Sequence, residues 1–280
     1  MTKQQIVSMF KNRLGIPSGY YQHYIENALP MVQESDFVDD FKRGAGHELF
    51  PKSGKPKFCS IVSSSALVVN AFAPWKKYRD ILSIDLGDEV LRDFSEIKFE
   101  EKILNGLKGT PPHLDVWLSS SETIVGIESK FTELFDAKKK VFSDQYGKYI
   151  QRNKTDFYSS PWTDFIEHES LAEGYRYLDV VQLVKHYFGL KRYKKTFNPK
   201  KTIYLLYLYW YPDSYKLKDD IVYTEHNREL DRFSEYVKTD LDIIFKHMNY
   251  GYLYKHWAEA PINDEIRAHL EAFRQRYLIL

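Results

Sequence analysis

The stretch TIYLLYLYW, residues 202–210, limits the fold more than any other part of the chain. It is apolar on both faces and bounded by Pro199 and Pro212, neither of which can donate to a backbone ladder. A strand apolar on both faces must be covered on both, so it belongs in the middle of a sheet between two layers of helix. Its tyrosines therefore read as core packing rather than as a platform for stacked bases.

The rest of the chain supplies those layers. Apolar periodicity predicts helices over 6–14, over 37–50 with interruptions at Gly44 and Gly46, and over 61–72 before Pro74. A strand is expected over 95–104, a basic helix over 136–150, and a long helix over 171–188. Residues 153–170, rich in aromatics, Ser and Thr and holding Pro161, read as an inserted loop. Thr224 can cap a helix running to Val237, residues 243–248 suit a further strand, and the C-terminus is helical. The expectation is one α/β domain over 1–280: a helical part over 1–84, a core over 95–210, and C-terminal helices with a strand over 211–280.

Residues 111–133 read PPHLDVWLSSSETIVGIESKFTE. Two alternating segments, 114–118 and 124–130, flank a polar, turn-like run and so form a β-hairpin. A turn centred between Ser121 and Glu122 sets Val116 opposite Ile127 and Leu118 opposite Val125, giving one apolar face. On the other face the same register sets Asp115 across from Glu128, with Lys130 two residues on and pointing the same way. Opposed like charges destabilise a sheet unless a divalent cation sits between them. With 28% charged residues a Glu-x-Lys triplet also arises by chance, as in Glu100-Glu101-Lys102, and a structural ion pair is the ordinary alternative. The opposed aspartate sets Glu128-Ser129-Lys130 apart.

An aspartate, a turn and then Glu-x-Lys resembles the signature of the PD-(D/E)xK nuclease superfamily, the restriction-endonuclease-like fold. Leu114, not proline, precedes Asp115, and the prolines stand earlier at Pro111 and Pro112. SSSALVVNAFAPW, GTPPHLDVWL, GIESKFTE, YLDVVQLVKHYFGL, TIYLLYLYWYPD and MNYGYLYKHW, in this order, are similar to a group of bacterial restriction endonucleases assigned largely by motif. The resemblance implies a restriction-endonuclease-like core, a mixed β-sheet flanked by helices, and metal-dependent cleavage of DNA. Helix, three strands, helix, strand is the order such a core requires.

On that reading, Mg²⁺, with Mn²⁺ as a substitute, is held by Asp115, Glu128 and the Ser129 carbonyl. Lys130 either stabilises the phosphate as a cation or takes a proton from water as a neutral amine. Glu48 in GAGHELF is the first choice for an upstream acid, and Glu100 is its rival. His113 shares the face of Asp115 but reads as a structural hydrogen-bonder. The resemblance draws attention to Gln182, a helical glutamine after the Glu-x-Lys strand. Lys185 and His186 fall on the same side of that helix, where the competing reading is a solvated polar stripe. Gln145 with Tyr149 is a weaker pair of the same kind.

A net charge of +1 gives no global pull toward nucleic acid, so binding must come from local patches. The candidates are Lys138-Lys139-Lys140 and the run 191–201 with Lys191, Arg192, Lys194, Lys195, Lys200 and Lys201; solvated turns are the plain alternative. A lone Cys59 rules out an internal disulfide and makes a structural zinc unexpected, and cytoplasmic residence is the default. The first 15 residues read as an amphipathic helix rather than a signal peptide or a membrane span. No P-loop or methyltransferase motif is evident, so host protection in a restriction system would need a separate methyltransferase. DNA is the expected partner, and a homodimer is admissible. The second reading is a non-catalytic nucleic-acid-binding module of the same fold; the third is an interaction protein, which leaves the opposed carboxylates unexplained.

Overall fold

Thr202–Tyr209 forms a strand paired on both sides, with every residue after the first buried. The computed structural model describes residues 2–278 apart from 45, 108, 110, 137–140, 154–159, 198–199 and 212–219. In chain order its helices and strands begin with α1 (Lys3–Leu14), α2 (Val38–Arg43), α3 (Ser64–Phe72), β1 (Ile84–Asp85) and β2 (Val90–Leu91). The hairpin region contributes β3 (Glu96–Lys102), β4 (His113–Ser119) and β5 (Thr123–Lys130). Four helices follow: α4 (Asp144–Arg152), α5 (Pro161–Glu167), α6 (Glu169–Glu173) and α7 (Val180–Phe197). Then come β6 (Thr202–Tyr209), α8 (Ile221–Val237), β7 (Ile244–Asn249), α9 (Tyr250–Glu259) and α10 (Asp264–Phe273).

The main sheet among the described residues has the order β3-β4-β5-β6-β7. Its first three strands are antiparallel and the last two join in parallel, which requires the long crossovers through α4–α7 and through α8. The hairpin has the register its alternation predicts, Val116 against Ile127 and Leu118 against Val125. Alternate residues of β6 feed two cores. Tyr204, Leu206 and Leu208 meet a layer that includes Phe10, Leu67, Trp257 and Phe273, while Ile203, Leu205 and Tyr207 meet Trp162, Leu183, Tyr187 and Phe233. Each such aromatic or aliphatic side chain contributes roughly 1.5–3 kcal/mol by leaving water. No helix among the described residues is long and apolar enough to cross a membrane.

Several elements differ from expectation for visible reasons. The stretch 153–170 is not all loop: residues 154–159 lie outside the described part, but α5 starts on Pro161, which suits the first turn of a helix. The long helix begins at Val180, not 171, and continues to Phe197. Upstream of it the Glu229 carboxylate accepts backbone N–H groups from Arg176, Tyr177 and Leu178 at 2.7–2.8 Å, holding that segment out of the helix. Asp220, not Thr224, caps α8, accepting from Val222 N at 3.0 Å. The basic helix starts at Asp144 rather than 136. Lys138, Lys139 and Lys140 lie outside the described residues.

Candidate active site

β4 changes face at Asp115. Leu114 packs in the core on one side of the sheet, whereas Val116 and Leu118, at even spacing from it, pack on the other. A regular strand would keep all three together. The adjoining segment of β3 does the same, since Phe99 and Ile103 belong to opposite cores and Glu100 between them has φ 52°. A left-handed conformation at a residue with a full side chain costs about 1–3 kcal/mol and persists only where surroundings hold it. Asp40 does the holding: its Oδ2 accepts Phe99 N at 3.1 Å and Lys76 Nζ at 2.6 Å, with Arg43 on its other oxygen. Gly44 is required opposite, because a Cβ there would stand 3.0 Å from both the Cβ and the carbonyl oxygen of Glu100. Gly126 is required for a similar reason, as Leu114 fills the space its side chain would take.

Continuing the hairpin register one step past Val116–Ile127 brings Asp115 level with Glu128. Asp115 Oδ2 accepts the Ser129 N–H at 2.6 Å, a side chain standing in for the next rung of the ladder. The carbonyls of Glu122 and Lys130 accept from the β6 side, from Thr202 and Trp210, so Ser129, odd in this alternation, turns its peptide groups toward β4 and Asp115. Lys130 Nζ donates to Glu128 Oε1 and, at 2.7 Å, to Gln182 Oε1. His186 Nε2 donates to Glu128 Oε2 at 2.7 Å. Gln182 and His186 stand one turn apart on α7, so one helix face secures both the lysine and the glutamate. The Ser129 hydroxyl and the Tyr250 hydroxyl, 2.7 Å apart, tie β5 to α9 on the opposite side.

Charge is divided unevenly across this site. Burial pushes the Asp115 carboxyl well above the ordinary carboxylate range, and the charges of Glu128 and Glu100 push it further against the opposing pull of Lys130 and the Ser129 N–H. Burial would raise Glu128 too, yet Lys130 and His186 outweigh it and hold that carboxyl low. Desolvation works against the Lys130 ammonium, but Glu128, Glu133 and Asp115 more than offset it and hold the amine above its usual range. Among the described residues no three His, Cys, Asp or Glu side chains form a ready metal cluster. The hard-oxygen set here is two carboxylates and a turned-in carbonyl.

The structure therefore brings Asp115, Glu128, Ser129, Lys130, Gln182 and His186 together. His186 is fully buried against Glu128 and so presents no surface to DNA. Glu100 lies close enough to charge Asp115 and sits 3.4 Å from His113 Nδ1. Glu48 is on a turn rather than a helix, engaged by Lys57 at 2.9 Å and by the Ser65 hydroxyl at 3.2 Å. Lys185 is half-buried on α7, and Gln145 is exposed on α4, without a place in the cluster. Of the basic run, Lys191 and Lys194 both pair with Asp242, while Arg192 and Lys195 are exposed. Sequence reasoning missed Tyr250 and Glu133. Glu133 accepts the Phe131 N–H at 2.7 Å, and its charge reaches Lys130; its place three residues past Lys130 was the available signal.

A mixed sheet of this order, flanked by helices, with an acid opposite Glu-x-Lys on its central hairpin, is a restriction-endonuclease-like core. The chain belongs to the family described as restriction endonuclease associating with ARP, whose model matches residues 7–278. No curated protein and no solved structure matches it significantly.

Proposed function

We propose that the chain is a metal-dependent endodeoxyribonuclease of PD-(D/E)xK type, hydrolysing DNA phosphodiester bonds. Membership of a restriction endonuclease family supports nuclease chemistry and DNA as the substrate. The observation that carries the rest is the placing of Asp115, one register step past Val116–Ile127 and so level with the buried carboxylate of Glu128, its Oδ2 accepting the Ser129 N–H at 2.6 Å. Surplus negative charge among hard oxygen donors fits a divalent cation. Asp115, Glu128 and the Ser129 carbonyl would hold Mg²⁺, or Mn²⁺ in its place, and the bound ion would neutralise phosphate charge and lower the pKa of a water.

The protein's own groups have separable roles. Lys130, whose ammonium donates to both Glu128 Oε1 and Gln182 Oε1, serves as a cation that places the scissile phosphate and stabilises charge on it. Gln182 and His186 are positioning residues: one fixes the Lys130 ammonium, the other the Glu128 carboxylate. Glu100 is better placed than Glu48 to complete the acidic set, because its charge acts on Asp115 while Glu48 is engaged by Lys57. In a restriction system, host DNA would be protected by a separate methyltransferase, and the association with ARP in the family description would supply a further partner.

Plasmid and linear DNA incubated with Mg²⁺, Mn²⁺ or EDTA test the proposal. Nicks or discrete fragments are expected with either metal and none in EDTA. Tight DNA binding with no cleavage under any metal would instead favour a non-catalytic binding module.

A further inference from the structure

A cleft of about 440 Å³ opens beside the site, between α1, the turn before α3 and the segment leaving β5. Lys11, Tyr20, Glu48, Lys57, Thr132 and Glu133 are among its lining residues. It adjoins the candidate catalytic groups, since Thr132 is two residues past Lys130, and Glu133 acts electrostatically on both Lys130 and Lys57. Glu100 likewise acts on both Asp115 and Lys57.

Lys57, which lines the cleft, ends the stretch 51–57, PKSGKPK, which holds three lysines and no acid. Lys52, Lys55 and Lys57 are all exposed, and Lys55 Nζ stands 5.9 Å from the centroid of the Tyr20 ring. Tyr20 and Phe50 are themselves large exposed aromatics, at 42% and 45%. Among the described residues Lys11, Lys52 and Lys55 have no carboxylate partner, and the Lys57 side chain stays 78% exposed while touching Glu48. Solvent-facing lysines interleaved with exposed rings beside a reactive centre have the chemistry of a phosphodiester track, with ammonium groups for phosphates and ring faces for bases. The other basic run lacks this character, because Asp242 already neutralises Lys191 and Lys194.

Resting on the nuclease reading above, we infer that this cleft seats the sugar-phosphate backbone of the DNA strand to be cut. Lys11, Lys52, Lys55 and Lys57 contact phosphates, and Tyr20 lies against an adjacent sugar or base. The strand then runs from the N-terminal layer past Thr132 to Lys130. Glu48 holds Lys57 in place until a phosphate competes for it.

Anisotropy of a fluorescent DNA duplex, titrated in Ca²⁺ over a range of salt, tests the inference. The variants are a Lys11→Ala, Lys55→Ala, Lys57→Ala triple, a single Lys55→Glu, and a Lys191→Ala, Lys194→Ala, Lys195→Ala control. The first triple should weaken binding about tenfold or more and flatten the logarithmic salt slope by about 2–3, as expected for three lost phosphate contacts. Lys55→Glu should weaken it in the same direction, and the control should stay within about twofold of wild type. Wild-type binding that the first triple and Lys55→Glu leave unchanged, or that only the control weakens, overturns the inference and leaves the nuclease reading standing. A wild-type chain that binds no DNA at low salt overturns both.

Discussion

On the α7 side of the site, Glu128 is met by Lys130 and His186, and Lys130 in turn by Gln182. On the β3 side, Asp115 is met among the described residues by a single backbone N–H and faces the charges of Glu128 and Glu100. Both halves are buried or nearly so, and both are built from carboxylates on neighbouring strands. One closes on itself and the other is left in deficit. A fold that leaves a carboxylate without a cation and bends two strands around it is what the proposed divalent cation would require.

Removing the cation from the closed half should have the largest effect. Lys130→Met leaves Glu128 short of its main partner, and calorimetry should show a loss of about 3 kcal/mol or more in unfolding free energy, as for other broken buried pairs. Cleavage by Lys130→Ala should fall by about two orders of magnitude or more, while DNA affinity in Ca²⁺ changes little. Lys130→Arg should not rescue it, because a planar guanidinium does not fit a bond pair built for an ammonium. Normal cutting by Lys130→Ala would make the triplet incidental.

The same operation on the open half should run the other way. Asp115→Asn keeps an oxygen for the Ser129 N–H but removes a charge from beside Glu128 and Glu100, so the metal-free protein should gain about 1 kcal/mol. Its pH dependence sharpens the contrast. Because the Asp115 carboxyl is raised on folding, the native state holds that proton more tightly than the unfolded chain, and wild type loses stability as pH climbs through the raised value. The advantage of Asp115→Asn should therefore be greatest at neutral pH and vanish in acid. Glu128, held low, behaves oppositely, and its contribution is lost as pH falls through its depressed value. An advantage that is flat with pH would remove the deficit from the account.

Glu100→Gly is the smallest of these tests. Relief of the left-handed backbone should make the variant as stable as wild type or about 0.5–1 kcal/mol more so, while cleavage drops. A stabilised variant that cuts at the wild-type rate would remove Glu100 from the site.

What could be read in advance follows from the range of each interaction. The hairpin register, the opposition of Asp115 and Glu128 and the double burial of β6 depend on alternation within a few residues, and they were legible. Helical spacing placed Gln182 and His186 on one face, but nothing local says that the face turns inward to Glu128, 58 residues before His186. Asp242 cancels Lys191 and Lys194, 51 and 48 residues earlier in the chain, so counting charge along 191–201 overstated that surface. The strand kink at Asp115 and the φ of Glu100 left no mark at all, since they go with contacts between distant residues, Asp40 with Phe99, Gly44 with Glu100 and Leu114 with Gly126. The start of α8 shows a smaller version of the same limit, where the sequence pointed to Thr224 and the helix is capped by Asp220.

The proposed function requires that the open half of the site bind a divalent cation through Asp115. Calorimetric titration of Mn²⁺ into wild type and Asp115→Asn, each with and without DNA, tests it most directly. Wild type should bind Mn²⁺ saturably and more tightly with DNA, and Asp115→Asn should not bind it. Absence of binding to wild type even with DNA present, or equal binding to both proteins, would contradict it.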